Sequence, residues 1–122
     1  MADIRELKER AYQLAQENIE LYNHICDEIF RHPELGEQEV YSSRFLVREM
    51  EKRGFRVQMP YGGLDTAFRC EIGSGRPKVA FLAEYDALPE LSQVGGCTER
   101  KPVCGENPDG HGCGHNLLGA GT

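Results

Sequence analysis

No run of apolar residues in this sequence approaches the roughly 20 needed to cross a bilayer, which argues against a membrane-spanning helix. The opening MADIRELKER is charged and lacks the apolar centre of a secretory signal, so a cytoplasmic protein is the expectation. Clusters of Lys and Arg are missing too. The net charge is −6, and basic pairs such as Lys52 and Arg53 are diluted by acids, which argues against nucleic acid as a partner. No serine sits in a nucleophile-elbow pattern. The turn GSGRP has too few glycines, wrongly spaced, for a phosphate loop. Internal repeats and low-complexity tracts are absent. No tight C-x₂₋₄-C pair is present, which weighs against a structural zinc knuckle.

What is there fits one small domain. With 122 residues, 39% hydrophobic and 28% charged, the chain can bury about two-thirds of its unfolded surface. The five cysteines are Cys26, Cys70, Cys97, Cys104 and Cys113. An odd number in a cytoplasmic setting points to free thiols or metal ligands rather than a disulfide framework. Cys26 and Cys70 lie inside apolar patterns and read as small buried hydrophobes.

From Ile4 to Phe30 apolar residues recur at helical spacings (Ile4, Leu7, Ala11, Leu14, Tyr22, Ile25, Ile29), which predicts one long amphipathic helix. Pro33 stops it. A second helix is predicted from about Glu37 to Arg53, with Gly54 at the left-handed stop position. Three strands are predicted next: Phe55 to Met59, Thr66 to Ile72, and Lys78 to Tyr85. The third is apolar without alternation from Val79 to Ala83, as expected of a strand covered on both faces. Helices followed by strands suggest the start of an α/β sandwich. From Asp86 to Gly114 periodicity vanishes, and a loop that long in a small domain is usually functional or disordered.

Two features flank that loop. AEYDALP places Glu84 and Asp86 at the carboxyl end of the predicted buried strand, the edge where open α/β sheets bind ligands; both acids could equally mark the strand's exit into water. GHGCGHN brings Cys113 and His115 together, a thiolate and an imidazole suited to zinc or a similar divalent ion. Gly114 between them lets the backbone bend, and His111 is a further donor in reach. A flexible glycine loop that happens to carry a Cys and two His is the plain alternative. A Cys₃His set of Cys97, Cys104, Cys113 and His115 is another, with spacings of six, eight and one residues that fit structural zinc poorly. His24 and His32 read as surface or capping residues.

Three ordered segments carry a family resemblance. IFRHPELGEQEVYSSRFLVREMEKRGFRV resembles the opening of the M20 metallopeptidase family in its amidohydrolase branch, with R-x-x-P-E-L, a helix, then G-F-x-V. FLAEYDALP is similar to that branch's A-D/E-x-D-A-L-P stretch, and HGCGHNLLGAG to its H-x-C-G-H-D/N motif. The long segment ELSQVGGCTERKPVCGENPDGHGCGHNLLG most resembles the subgroup that hydrolyses aminobenzoyl-glutamate amides.

The resemblance implies a three-layer α/β/α zinc-peptidase-like catalytic domain with a mixed sheet, of which residues 1–122 are the N-terminal segment, a fragment without the family's smaller dimerisation domain. It implies metal-dependent hydrolysis of a small N-acyl amino acid by the whole protein, with a zinc or manganese ion. Cys113 and His115 match two metal ligands, and Asp86 the aspartate that orients a ligand. Glu84 falls where the broader family has a ligand histidine, and Asn116 replaces the branch's usual aspartate. The family's general-base glutamate lies in an acidic pair after C-G-H, so these 122 residues alone are expected to be inactive. A homo- or hetero-oligomer is implied for the full-length protein. The reading from another class is a non-catalytic metal-binding or subunit-interaction remnant.

Overall fold

The computed structural model describes residues 3–103, 105 and 108–122; Cys104 lies outside them. The element order is α1 (Ile4–Glu17), α2 (Ile19–Arg31), α3 (Val40–Lys52), β1 (Arg56–Gln58), β2 (Arg69–Glu71) and α4 (His115–Gly121). Helices with a small antiparallel sheet give an α/β composition.

The single helix predicted over Ile4 to Phe30 is two. Asn18 breaks it: its side-chain amide donates to the Leu14 carbonyl at 2.8 Å, the local competition that makes Asn a poor interior helix residue. α1 begins on Asp3, whose carboxylate accepts the Arg5 N–H at 3.1 Å, a regular N-cap. α1 buries none of its residues, and Ile4, Leu7 and Leu14 are exposed. The predicted apolar face therefore becomes core only in α2, through Ile25 and Ile29.

The core is Ile25, Ile29, Phe45 and Leu46, with Leu21, Tyr41, Phe68, Tyr85 and Ala120 packed against it. The partners come from α2 and α3, from the start of β2, and from both segments that flank the long loop. α3 is shorter than predicted at its start: Glu37 lies in the preceding turn, and Glu39 is the N-cap before the helix begins at Val40. Its end is as predicted: Gly54 has φ +84°, which only glycine adopts freely, and the Phe55 N–H returns to the Met50 carbonyl at 3.2 Å.

Glu49 ties off the same helix end. Its carboxylate receives Lys52 Nζ at 2.6 Å and Arg53 Nη1 at 2.9 Å. The Lys52 hydrogen bond, opposed by burial and reinforced by Arg53, holds the Glu49 carboxyl below its ordinary 4.5. A carboxyl depressed on folding stabilises above its unfolded value, and that stability is lost as pH falls through the folded one. Glu49→Gln is accordingly expected to lower the thermal midpoint near neutral pH, with the gap to the native protein closing in acid. Midpoints taken across a pH series check this; a gap that does not change with pH would contradict it.

The strands are only three residues each, paired in the register Arg56↔Glu71, Val57↔Cys70 and Gln58↔Arg69. The predicted third strand is corrected. Residues 78–84 join no ladder and are exposed, with Val79 at 74%, Phe81 at 76% and Leu82 at 90%. An inner strand needs a neighbour on each edge and cover on both faces, and the described residues supply neither along this stretch. Cys26 and Cys70, read as buried, are half-buried. Desolvation raises both thiols above their ordinary value of 9.0.

The long loop has no periodicity yet is organised. Ala87 pairs in parallel with Leu35, and Leu88 pairs with Gly110. Between them Ser92 bonds to Pro108 and Val94 to Lys101. Gln93 accepts the Lys101 N–H at 3.0 Å and donates to the Glu99 carbonyl at 2.8 Å. These contacts return the chain to Gly110 beside Leu88, so both sequence features that flank the loop reach one place.

Candidate metal centre

The Leu88–Gly110 pair sets the meeting point. Asp86 leaves the extended segment just before the first partner, and the glycine-rich motif begins at the second. Gly114, with φ +77°, then turns the chain into α4 so that His115 is its first residue. α4 lies across α2, with Gly119 against the Glu84 carbonyl and Ile29.

This geometry puts His115 between two carboxylates. Nδ1 lies 2.6 Å from Asp86 Oδ1, and Nε2 lies 3.2 Å from Glu84 Oε2. Side-chain exposure differs along the row, at 30% for Asp86, 19% for His115 and 67% for Glu84. Donor atoms of the three lie within 4.8 Å of one another, which makes them the one cluster among the described residues that could hold a metal ion.

The donor set fits a divalent cation on chemical grounds. A neutral imidazole has one N–H and one lone pair. With Nδ1–H donating to Asp86, the Nε2 lone pair and the Glu84 oxygen 3.2 Å from it are two donors that one cation could share. A metal-binding histidine whose other nitrogen donates to a carboxylate is the usual way such a ring is oriented.

Of the residues singled out in the sequence, the structure brings together Asp86, His115 and Glu84. Cys113 is exposed and outside that group, as is Cys97; Cys104 is outside the described residues. His111 is not in the group either. Its Nε2 sits 3.1 Å from the Ile29 carbonyl, its ring lies near Phe30, and burial pushes its pKa below 6.5. It joins the motif to α2. Asn116 is buried and donates to Cys26 Sγ at 3.1 Å, tying the start of α4 to α2. His24 lies edge-on to Phe45 and His32 closes α2 on the Glu28 carbonyl, as the sequence suggested.

A cleft of about 360 Å³ opens over the cluster, lined by Glu84, Asp86 and His115 together with Gly36, Glu39 and Thr66. Its floor is a buried pair, Thr66 Oγ1 donating to Glu39 Oε2 at 2.6 Å. Tyr85 donates to the Thr66 carbonyl, and burial raises its phenol to about 12. Nothing in the sequence singles these residues out. Their contacts cross 27 and 19 residues of chain, a separation without local pattern. Thr66→Val is expected to leave Glu39 buried without its hydroxyl donor and to cost about 1–3 kcal/mol; chemical denaturation checks it, and an unchanged midpoint would contradict it.

No protein-family model matches the chain. Among curated proteins it is 46% identical over 99 residues to a subunit of the p-aminobenzoyl-glutamate hydrolase of Escherichia coli (strain K12), covering 80% of this chain and 20% of that protein. It is 34% identical over 128 residues to Xaa-Arg dipeptidase of Mus musculus, covering 96% of this chain and 25% of the relative. It is 32% identical over 110 residues to IAA-amino acid hydrolase ILR1-like 6 of Arabidopsis thaliana, covering 85% and 22%. The chain thus spans about a fifth to a quarter of the length of these relatives.

Proposed function

We propose, because the chain belongs to the M20 amidohydrolase family, that its whole protein performs metal-dependent hydrolysis of the amide bond in an N-acyl amino acid. p-Aminobenzoyl-glutamate is the first substrate to test, since the relative at 46% identity is named for it. The observation that carries the metal reading is His115 held between Asp86 and Glu84, with carboxylate oxygens at both ring nitrogens.

His115 and Cys113 would hold a zinc or manganese ion, which would supply polarisation of the scissile carbonyl and a lowered pKa for a water. Asp86 accepts the Nδ1 proton of His115, which fixes the ring's tautomer and direction and makes Nε2 a better donor. Glu84 adds negative charge on the Nε2 side, which favours a cation there. The buried Glu39–Thr66 pair and Tyr85 keep the cleft floor in place. Cys113 would have to turn inward from its exposed position, which the glycines on either side of it permit.

The wider reading follows from the family. Residues 1–122 form the N-terminal segment of a three-layer catalytic domain. The whole protein is cytoplasmic and assembles as an oligomer, homo- or heteromeric, in line with the naming of that relative as one subunit of an enzyme. The 122 residues alone do not complete the hydrolytic site.

The test is release of p-aminobenzoate by the purified whole protein, beside an Xaa-Arg dipeptide and an indoleacetyl amino acid as competing substrates. Hydrolysis that stops on chelation and returns with manganese or zinc supports the proposal. Undiminished turnover by metal-stripped protein would overturn the metal, and turnover of the dipeptide alone would overturn the substrate.

A further inference from the structure

We propose that Glu34 is a positioning residue for the Asp86–His115 pair, an inference that rests on reading that pair as part of a metal centre. Glu34 grips two parts of the fold at once. Its carboxylate oxygens accept the N–H groups of Tyr41 and Ser42 at 2.7 and 2.8 Å. These are free donors in the first turn of α3, whose own N-cap residue Glu39 makes no side-chain cap. An anion there gains from charge-assisted bonds and from the helix dipole.

The backbone of Glu34 holds the other part. Its carbonyl accepts the Ala87 N–H at 2.7 Å, and Leu35 pairs in parallel with Ala87. Ala87 is 2% exposed and directly follows Asp86. Gly36, the next residue of the turn, faces Asp86 Oδ2: a Cβ built there would lie 3.9 Å from it. The turn therefore stands beside the carboxylate whose other oxygen takes the His115 proton.

α3 is fixed in the core through Phe45 and Leu46. Glu34 carries that fixed position across to residues 86 and 87. Without the carboxylate the turn loses its hold on the helix, Ala87 loses a fixed acceptor, and Asp86 no longer meets His115 at one distance. A cap alone would stabilise α3 and do nothing at His115.

The experiment separates these roles in the whole, metal-free protein with ¹⁵N-labelled histidine. The readout is the His115 Nδ1–H proton, deshielded by its bond to Asp86. In Glu34→Gln the thermal midpoint falls, and this signal is lost or shifts upfield at temperatures where the protein is folded. In Glu49→Gln, which loosens the far end of the same helix, the midpoint falls and the signal stays. A folded Glu34→Gln protein with the native signal would make Glu34 a cap only and overturn the proposal. If that variant does not fold, Glu34→Asp, charged but one methylene short, is read the same way. Zinc added to the native protein tests the metal reading separately: a His115 signal that zinc does not move overturns that reading, whatever the Glu34 variants show.

Discussion

Replacing His115 with alanine in the whole protein is expected to cut hydrolysis by ~10³-fold, the size of an effect of about 4 kcal/mol on the barrier. Three features lead to this. His115 is the ring on which both carboxylates converge. It is the first residue of α4, so the helix start fixes where it points. Its ring is largely enclosed, at 19% side-chain exposure, so water does not easily take its place. Asp86→Asn should act on the same site more gently. The amide can still fill the space but no longer offers a charged acceptor to Nδ1–H, and loss of such a partner costs about 10- to 100-fold. The comparison is made at saturating metal and again at limiting metal. A His115→Ala protein that keeps most of its turnover in both would exclude this histidine from the site.

Ile29→Ala carries the largest expected loss of stability. Ile29 is fully buried at 0% exposure and belongs to the central cluster with Ile25, Phe45 and Leu46. Its Cδ1 also lies 3.6 Å from the point where a Cβ on Gly119 would stand, so it supports α4 as well as the pairing of α2 with α3. Truncating a buried isoleucine in such a setting costs about 2–5 kcal/mol. Because the vacated space borders α4, His115 should lose order along with the core. Denaturant unfolding measures the first effect and metal affinity the second. A loss under about 1 kcal/mol would mean that the site collapses around the smaller residue, contrary to tight packing.

Local signals in the sequence are legible where local physics decides the outcome. Gly54 ends α3 as its type and place suggest, and Pro33 follows the end of α2 closely. Asp86 and His115 are candidates in the sequence from opposite sides of the long loop, and the fold brings them together at 2.6 Å. What is not legible depends on contacts far apart in the chain. Asn18 divides the first helix by bonding back to Leu14, a choice that the apolar spacing does not reveal. Val79, Phe81 and Leu82 read as core, yet burial requires neighbours, and the described residues offer them none. Glu34 is visible in the sequence only as one letter of a motif. Its task emerges once α3 and Ala87 are seen on either side of it. Cys113 looks equal to His115 in sequence; in the structure it is exposed, and the carboxylate of Glu84 lies beside the imidazole.

The central claim is that His115, oriented by Asp86, binds the metal together with Cys113. X-ray absorption at the metal edge of the zinc-loaded whole protein tests it most directly. The expected spectrum has imidazole nitrogen at about 2.0–2.1 Å and one sulfur at about 2.3 Å, with the metal's inner ligand set losing a nitrogen in His115→Ala and the sulfur in Cys113→Ser. A spectrum that neither substitution changes would contradict it.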